Sequence, residues 1–155
     1  MYLGLDLGTS SVKALIVDAS GTAVASQSVP LQVIRRKAGW SEQDPQSWWD
    51  ATNRAVRSLG AEYPEEMRKI TGIGLSGQMH GLTALDANDA VLRPAILWND
   101  ARSAPQAAHL DASHPAFRQI AGNAVMPGFT APKILWMAEN EPDLFRRLGS
   151  VLLPN

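Results

Sequence analysis

The sequence predicts an α/β protein built on a mixed sheet with flanking helices. Three observations carry that prediction: short strand patterns open the chain, an amphipathic helix pattern follows from Pro45, and a further strand pattern at 70–76 precedes a helical second half. The opening strands are expected at 2–7, 12–17 and 22–29, the last two joined by a turn at 18–21, which makes an antiparallel meander. After the basic stretch Arg35, Arg36 and Lys37, read as a solvated loop, the segment 41–45 announces a helix with Asp44 as N-cap and Pro45 at its first position. Trp48, Thr52, Ala55, Val56 and Leu59 recur at helical spacing, and Gly60 is the expected stop.

The pattern then returns to strands. A fourth at 70–76 leads into Gly77, Gln78, Met79, His80 and Gly81, where two glycines suggest a sharply bent backbone. A fifth strand at 82–85 and a short apolar run at 95–98 follow. Helices are expected at 102–110, 115–121 closed by Gly122, 130–139, and 142–148 closed by Gly149, with a last strand beginning at 151–153.

Composition narrows the function classes. At 155 residues the chain is one domain's worth, and its 45% hydrophobic and 19% charged content suits a soluble globular protein with a sizeable core. A formal charge of -1 supplies no long-range field for polyanions, so nucleic-acid and membrane-surface partners are disfavoured. There is no cysteine, which excludes disulfide scaffolds and thiolate metal sites and fits a reducing compartment. Asp6 interrupts the apolar start before a secretory segment could form, and no apolar run approaches membrane-spanning length. A cytoplasmic location is the expectation.

The first turn carries the most chemistry. Asp6, Leu7, Gly8, Thr9, Ser10, Ser11, Val12 and Lys13 lie between two apolar runs, as in a tight hairpin turn that cradles phosphate. Glycine lets the backbone approach an anion, N-H groups around Gly8 and Thr9 can form a concave nest, and three hydroxyls add donors. Asp6 contributes one carboxylate to the same space, and Mg2+ prefers carboxylate, water and phosphate oxygens. An ordinary hairpin turn explains the same residues without chemistry, and the spacing is neither a Walker A loop nor a Rossmann fingerprint.

Further along, Trp40 to Pro45 with Trp48 and Trp49, Gly77 to Gly81, Leu97 to Asp100, and Met126 to Lys133 occur in order with the hairpin. Together these motifs resemble the FGGY carbohydrate kinase family, and within it the bacterial xylulokinases. That resemblance implies a ribonuclease H-like fold of the actin and Hsp70 ATPase type, with this chain as the amino-terminal part of the first of two domains. It implies ATP and Mg2+ as cosubstrate and cation, a small ketose as substrate, and a homodimer. Asp6 matches the first-strand aspartate near the Mg-ATP phosphates, which makes it the catalytic candidate and the Mg2+ partner, through water. Gly8, Thr9, Ser11 and Lys13 fall at phosphate-contact positions, and Met79 and His80 match the sugar-binding pair. Glycerol kinases carry Arg-Glu there and gluconokinases a Met-His in a different surround, so Gln78 to Gly81 favours xylulose. The family's aspartate base lies beyond residue 155, so the chain alone is expected to be inactive and its second, nucleotide-binding domain to be absent.

Blander readings compete at each residue. Lys13 could be an edge-strand lysine, Met79 core filler, and His80 a solvated loop residue; His109 and His114 are read as helix-surface residues, and Trp48, Trp49 and Trp136 as packing. Other sugars or polyols (ribulose, gluconate, glycerol), a ribonuclease H-like nuclease and a non-catalytic actin-like nucleotide-binding module are the alternatives. The nuclease would need more carboxylates and a basic face, and the module has no use for Gln78 to Gly81.

Overall fold

A computed structural model describes residues 1–154. These residues form two compact units, one of 1–33 and 45–78 and one of 34–44 and 79–154.

The first unit is a four-stranded sheet with a helix on one face. Strands β1 (Tyr2–Leu7), β2 (Ser11–Val17) and β3 (Ala23–Pro30) form the expected antiparallel meander, and β5 (Gly72–Gly77) adds beside β1 in parallel, giving the order β3-β2-β1-β5. Period-two alternation sends Val12, Ala14 and Ile16 inward and leaves Lys13 exposed. Helix α1 (Pro45–Glu62) covers the inward face: Ala55 and Leu59 join Leu3, Ala14, Ile16 and Ala25 in one aliphatic core. Burying a side chain such as Ile16 or Leu59 contributes about 1.5–3 kcal/mol. Gly60 does not stop α1. An interior glycine costs only about 1 kcal/mol, and the buried stripe ending at Leu59 outweighs it, so the helix runs on to Glu62; Pro64 then opens α2 (Pro64–Arg68). Trp48 is buried as expected, whereas Trp49 is 64% exposed and packs into no core.

The second unit joins two short sheets to four helices. Strand β4 (Glu42–Gln43) pairs with β7 (Ala95–Ile96), and β6 (Thr83–Leu85) with β8 (Ser150–Leu152), all antiparallel. Helices α3 (Ala104–Ser113), α4 (Ala116–Ala121), α5 (Thr130–Asn140) and α6 (Pro142–Phe145) follow. Gly122 closes α4 in the left-handed conformation at φ 72°, as its position predicts. Gly149 is no helix stop: its N-H donates to the Leu85 carbonyl at 2.8 Å, and a β-carbon there would come within 2.7 Å of the Ala87 nitrogen.

Leu82, Ala84, Ile96, Trp136 and Met137 form the apolar core of this unit, with Trp40 edge-on to Trp136 at 5.6 Å. Beside them lies a buried ion network. Glu42 pairs with both Arg93 and Arg102, Arg102 with Asp100, and Arg93 also with Glu141. The Arg102 guanidinium stacks 3.6 Å from the Trp40 ring centroid, and Asp100 also accepts the Ser41 and Arg102 N-H groups. No helix among the described residues is long and apolar enough to cross a membrane.

Candidate active site

The residues expected to act on a ligand fall in both units: the turn after β1 in the first, Met79 and His80 in the second. In the first, β1 and β2 end in the turn 8–11, where the Gly8 N-H donates to the Ser11 carbonyl at 3.1 Å. A β-carbon on Gly8 would approach that carbonyl to 3.0 Å, so it is this close turn, not a positive φ, that calls for glycine. One expectation changes in consequence. The Gly8 N-H closes the turn and is not a free donor for an anion nest.

Asp6 and Lys13 face each other in register across β1 and β2, on the sheet face opposite α1, and both are exposed. With Gly4, Leu15, Gly74 and Ser76 they line an open groove of about 260 Å3. Among the described residues Asp6 and Lys13 make no ion pair with each other or with a neighbour. An unpaired carboxylate and ammonium on a glycine-lined face leave their charge for a ligand. Lys13 is not an edge lysine, since β2 lies inside the sheet between β1 and β3.

Thr9 and Gln78 lock the end of this sheet. The Thr9 hydroxyl donates to Gln78 Oε1 at 3.0 Å, and the Gln78 N-H donates to the Leu7 carbonyl at 2.9 Å, continuing the parallel register of β1 and β5. The Thr9 hydroxyl hydrogen is therefore committed to Gln78 rather than presented outward. Ser11, half-buried, opens β2 opposite Pro30.

Met79 and His80 follow Gln78 in the chain and belong to the second unit. Met79 is 57% exposed, so it is not core filler. The sharp bend expected from the flanking glycines falls on His80 itself, at φ 59°, a conformation uncommon for a residue with a β-carbon. Its ring packs against the Phe129 ring in a tilted arrangement, with centroids 4.8 Å apart and planes at 46°. Its carbonyl accepts the Lys133 ammonium at 2.6 Å, and Lys133 also donates to the Gly128 carbonyl at 2.7 Å. Lys133 is wholly buried, and burial lowers its pKa to about 8, opposed by the Asp100 charge and reinforced by Arg102. Gly128 packs so closely on the Trp98 carbonyl that a β-carbon would sit 2.6 Å away, while Trp98 itself is 47% exposed. His109 and His114 are exposed on and beside α3, as expected.

Comparison with known proteins now decides the family. The FGGY carbohydrate kinase N-terminal domain matches residues 1–155. The chain belongs to the FGGY family of carbohydrate kinases. It is 51% identical over 154 residues to the xylulose kinase of Escherichia coli K12, covering 99% of this chain and 31% of that protein. Its structure superposes on a xyloylose kinase from Brucella ovis with a TM-score of 0.95 at 59% identity, covering 99% of this chain and 32% of the other. A gluconate kinase from Lactobacillus acidophilus gives a TM-score of 0.89 at 27% identity, covering 97% and 30%. The chain thus spans about a third of the length of these relatives. The fold is the mixed α/β one of sugar kinases, of the actin and Hsp70 ATPase type, as the resemblance implied.

Sequence reasoning about this FGGY chain missed Lys133 and Asp100 as working parts. Asp100 stood in a motif without a role; it pairs with Arg102 and holds the Ser41 N-H. Lysine in an apolar helix gives one signal, because a cation inside the buried stripe of α5 calls for acceptors.

Proposed function

We propose that the protein containing this chain transfers the γ-phosphoryl group of ATP to the terminal hydroxyl of D-xylulose, giving D-xylulose 5-phosphate. In this reading residues 1–155 form the amino-terminal part of the first of two domains, and the nucleotide-binding domain with the aspartate base lies outside them. The observation that carries the reading is the 51% identity to a xylulose kinase over 99% of the chain, which includes both turns. The gluconate kinase likeness shows that one fold serves different sugars, so the sugar is set by side chains.

The residues present suit a nucleotide phosphate and a cation carried with it. Asp6 is an exposed carboxylate at the end of β1 and Lys13 an exposed ammonium beside it, neither in an ion pair among the described residues. Among the described residues no group of three or more His, Asp or Glu could cage a metal. That donor set matches Mg2+, which keeps phosphate and water as its principal ligands and neutralises charge on the phosphates when bound. Asp6 orients that assembly through water, Lys13 and the Ser11 hydroxyl stabilise charge developing on the transferred group, and Gly8 and Thr9 shape the turn that presents them. Met79 and His80 hold the ketose with its hydroxyl in line, His80 acting as a hydrogen-bond partner and not as the base. A cytoplasmic homodimer completes this reading.

A screen of ADP release by the complete protein tests it. D-xylulose is expected to give the largest kcat/KM among D-xylulose, D-ribulose, glycerol and gluconate; a larger value for any other of these would overturn the sugar assignment.

A further inference from the structure

We propose that Lys133 is a positioning residue for sugar recognition, setting the presentation of His80 through the main chain. The inference rests on the reading of Met79 and His80 as the ketose-binding pair. Three observations within the second unit carry it. His80 occupies a left-handed backbone conformation at φ 59° without being glycine, an arrangement that persists only where its surroundings hold it. The Lys133 ammonium grips this residue's carbonyl at 2.6 Å, and the same ammonium grips the Gly128 carbonyl at 2.7 Å. Gly128 adjoins Phe129, against whose ring the His80 imidazole packs in a tilted contact at 4.8 Å. One buried cation therefore fixes both the backbone beneath the imidazole and the loop that carries its aromatic support.

The burial makes this a costly device. Lys133 is 0% exposed, and no carboxylate lies within ion-pair distance of it among the described residues. A packing role would be met by leucine or methionine at no desolvation cost. An ammonium is needed here because its donors meet two carbonyls that converge from different segments. The Ser103 hydroxyl adds a second tie to the same loop, donating to the Pro127 carbonyl at 2.9 Å. The loop is thus held at the adjacent Pro127 and Gly128 carbonyls, and it is tied to His80 by the Lys133 ammonium and by the Phe129 ring contact.

The test uses Lys133→Met in the complete protein, with D-xylulose and ATP varied separately. The expected result is a ketose KM raised about tenfold, with the ATP KM changed less than twofold and the melting temperature still showing a cooperative transition. Lys133→Gln, which keeps a neutral NH2 group with two donors on a shorter side chain, should give a smaller rise of the same kind. A folded Lys133→Met protein with ketose KM within twofold of wild type overturns the proposal. If Lys133→Met does not fold, Lys133→Gln is read by the same criterion, and failure of both to fold overturns it by making Lys133 a folding residue only. His80→Ala separates the two layers: if it leaves ketose KM unchanged, the sugar-binding reading fails; if it raises KM while folded Lys133→Met does not, only the positioning role fails.

Discussion

The two units solve the problem of a stable core in different ways. The first relies on aliphatic side chains at regular spacing, with Leu3, Ala14, Ile16, Ala55 and Leu59 closing against one another, and keeps Asp6 and Lys13, which form no ion pair among the described residues, on the open face. The second buries charge beside its apolar core, with Glu42, Arg93, Asp100 and Arg102 paired against two tryptophan rings and Lys133 enclosed among carbonyls. A functional turn on the first unit needs only a rigid sheet end. Met79 and His80 sit on irregular backbone in the second, where polar contacts must supply the rigidity that regular structure does not.

The largest test of that contrast is Asp100→Ala. It leaves Arg102 buried beside a single remaining partner, Glu42, and exposes the Ser41 N-H to an unpaired fate, so a loss of about 3–5 kcal/mol is expected, read as a fall in melting temperature of the complete protein. Pairing it with Arg102→Met should recover part of that loss, because removing both charges removes the uncompensated one. If the double variant is less stable than the single one, the network is worth more than its desolvation cost and the contrast sharpens.

Function should divide along the same line. Asp6→Ala is expected to lower kcat at least about a hundredfold, equivalent to about 2.7 kcal/mol of transition-state stabilisation, while leaving the melting temperature unchanged, since the carboxylate has no structural partner among the described residues. His80→Ala should act instead on ketose KM, by about tenfold or 1.4 kcal/mol, with kcat little changed. Initial-rate kinetics on both variants check the split; a KM effect for Asp6 and a kcat effect for His80 would reverse the assignment. The 155-residue chain by itself should show no xylulose-dependent ADP release, because half of a positioning site gives little catalysis.

How much of this could be read from the residues follows the same contrast. Period-two strands and the helix after Pro45 in the first unit announce themselves because their packing is repetitive. Strands β4 and β7, two residues each, give no period at all; Glu42 and Gln43 read as a helix entry, and it is the pairing with Arg93 and Arg102, distant in sequence, that accounts for the buried Glu42. The candidate site residues stand out in the sequence as motifs, but their couplings do not. That Thr9 is bonded to Gln78, or that His80 rather than a glycine makes the bend, depends on contacts between separated segments.

The smallest expected effect lies at the end of α3. The Arg118 guanidinium and the Val125 N-H hold the Asp111 carboxyl down to about 2 from an ordinary value near 3.8. A carboxylate lowered in this way contributes stability that is complete above the ordinary value and is lost as pH falls through about 2. Between pH 5 and pH 2 the wild-type protein should therefore lose slightly more stability than Asp111→Asn, measured by urea unfolding. Equal losses would mean that this surface pair contributes nothing.

The central claim is that the turn after β1 addresses a nucleotide phosphate while the turn at His80 addresses the sugar. A crystal structure of the complete protein with D-xylulose and a non-hydrolysable ATP analogue tests it directly. The expected result places the ketose within hydrogen-bond reach of the His80 imidazole and the γ-phosphate facing Asp6 and Lys13. A ketose bound away from Met79 and His80, or a triphosphate remote from the turn 8–11, would contradict it.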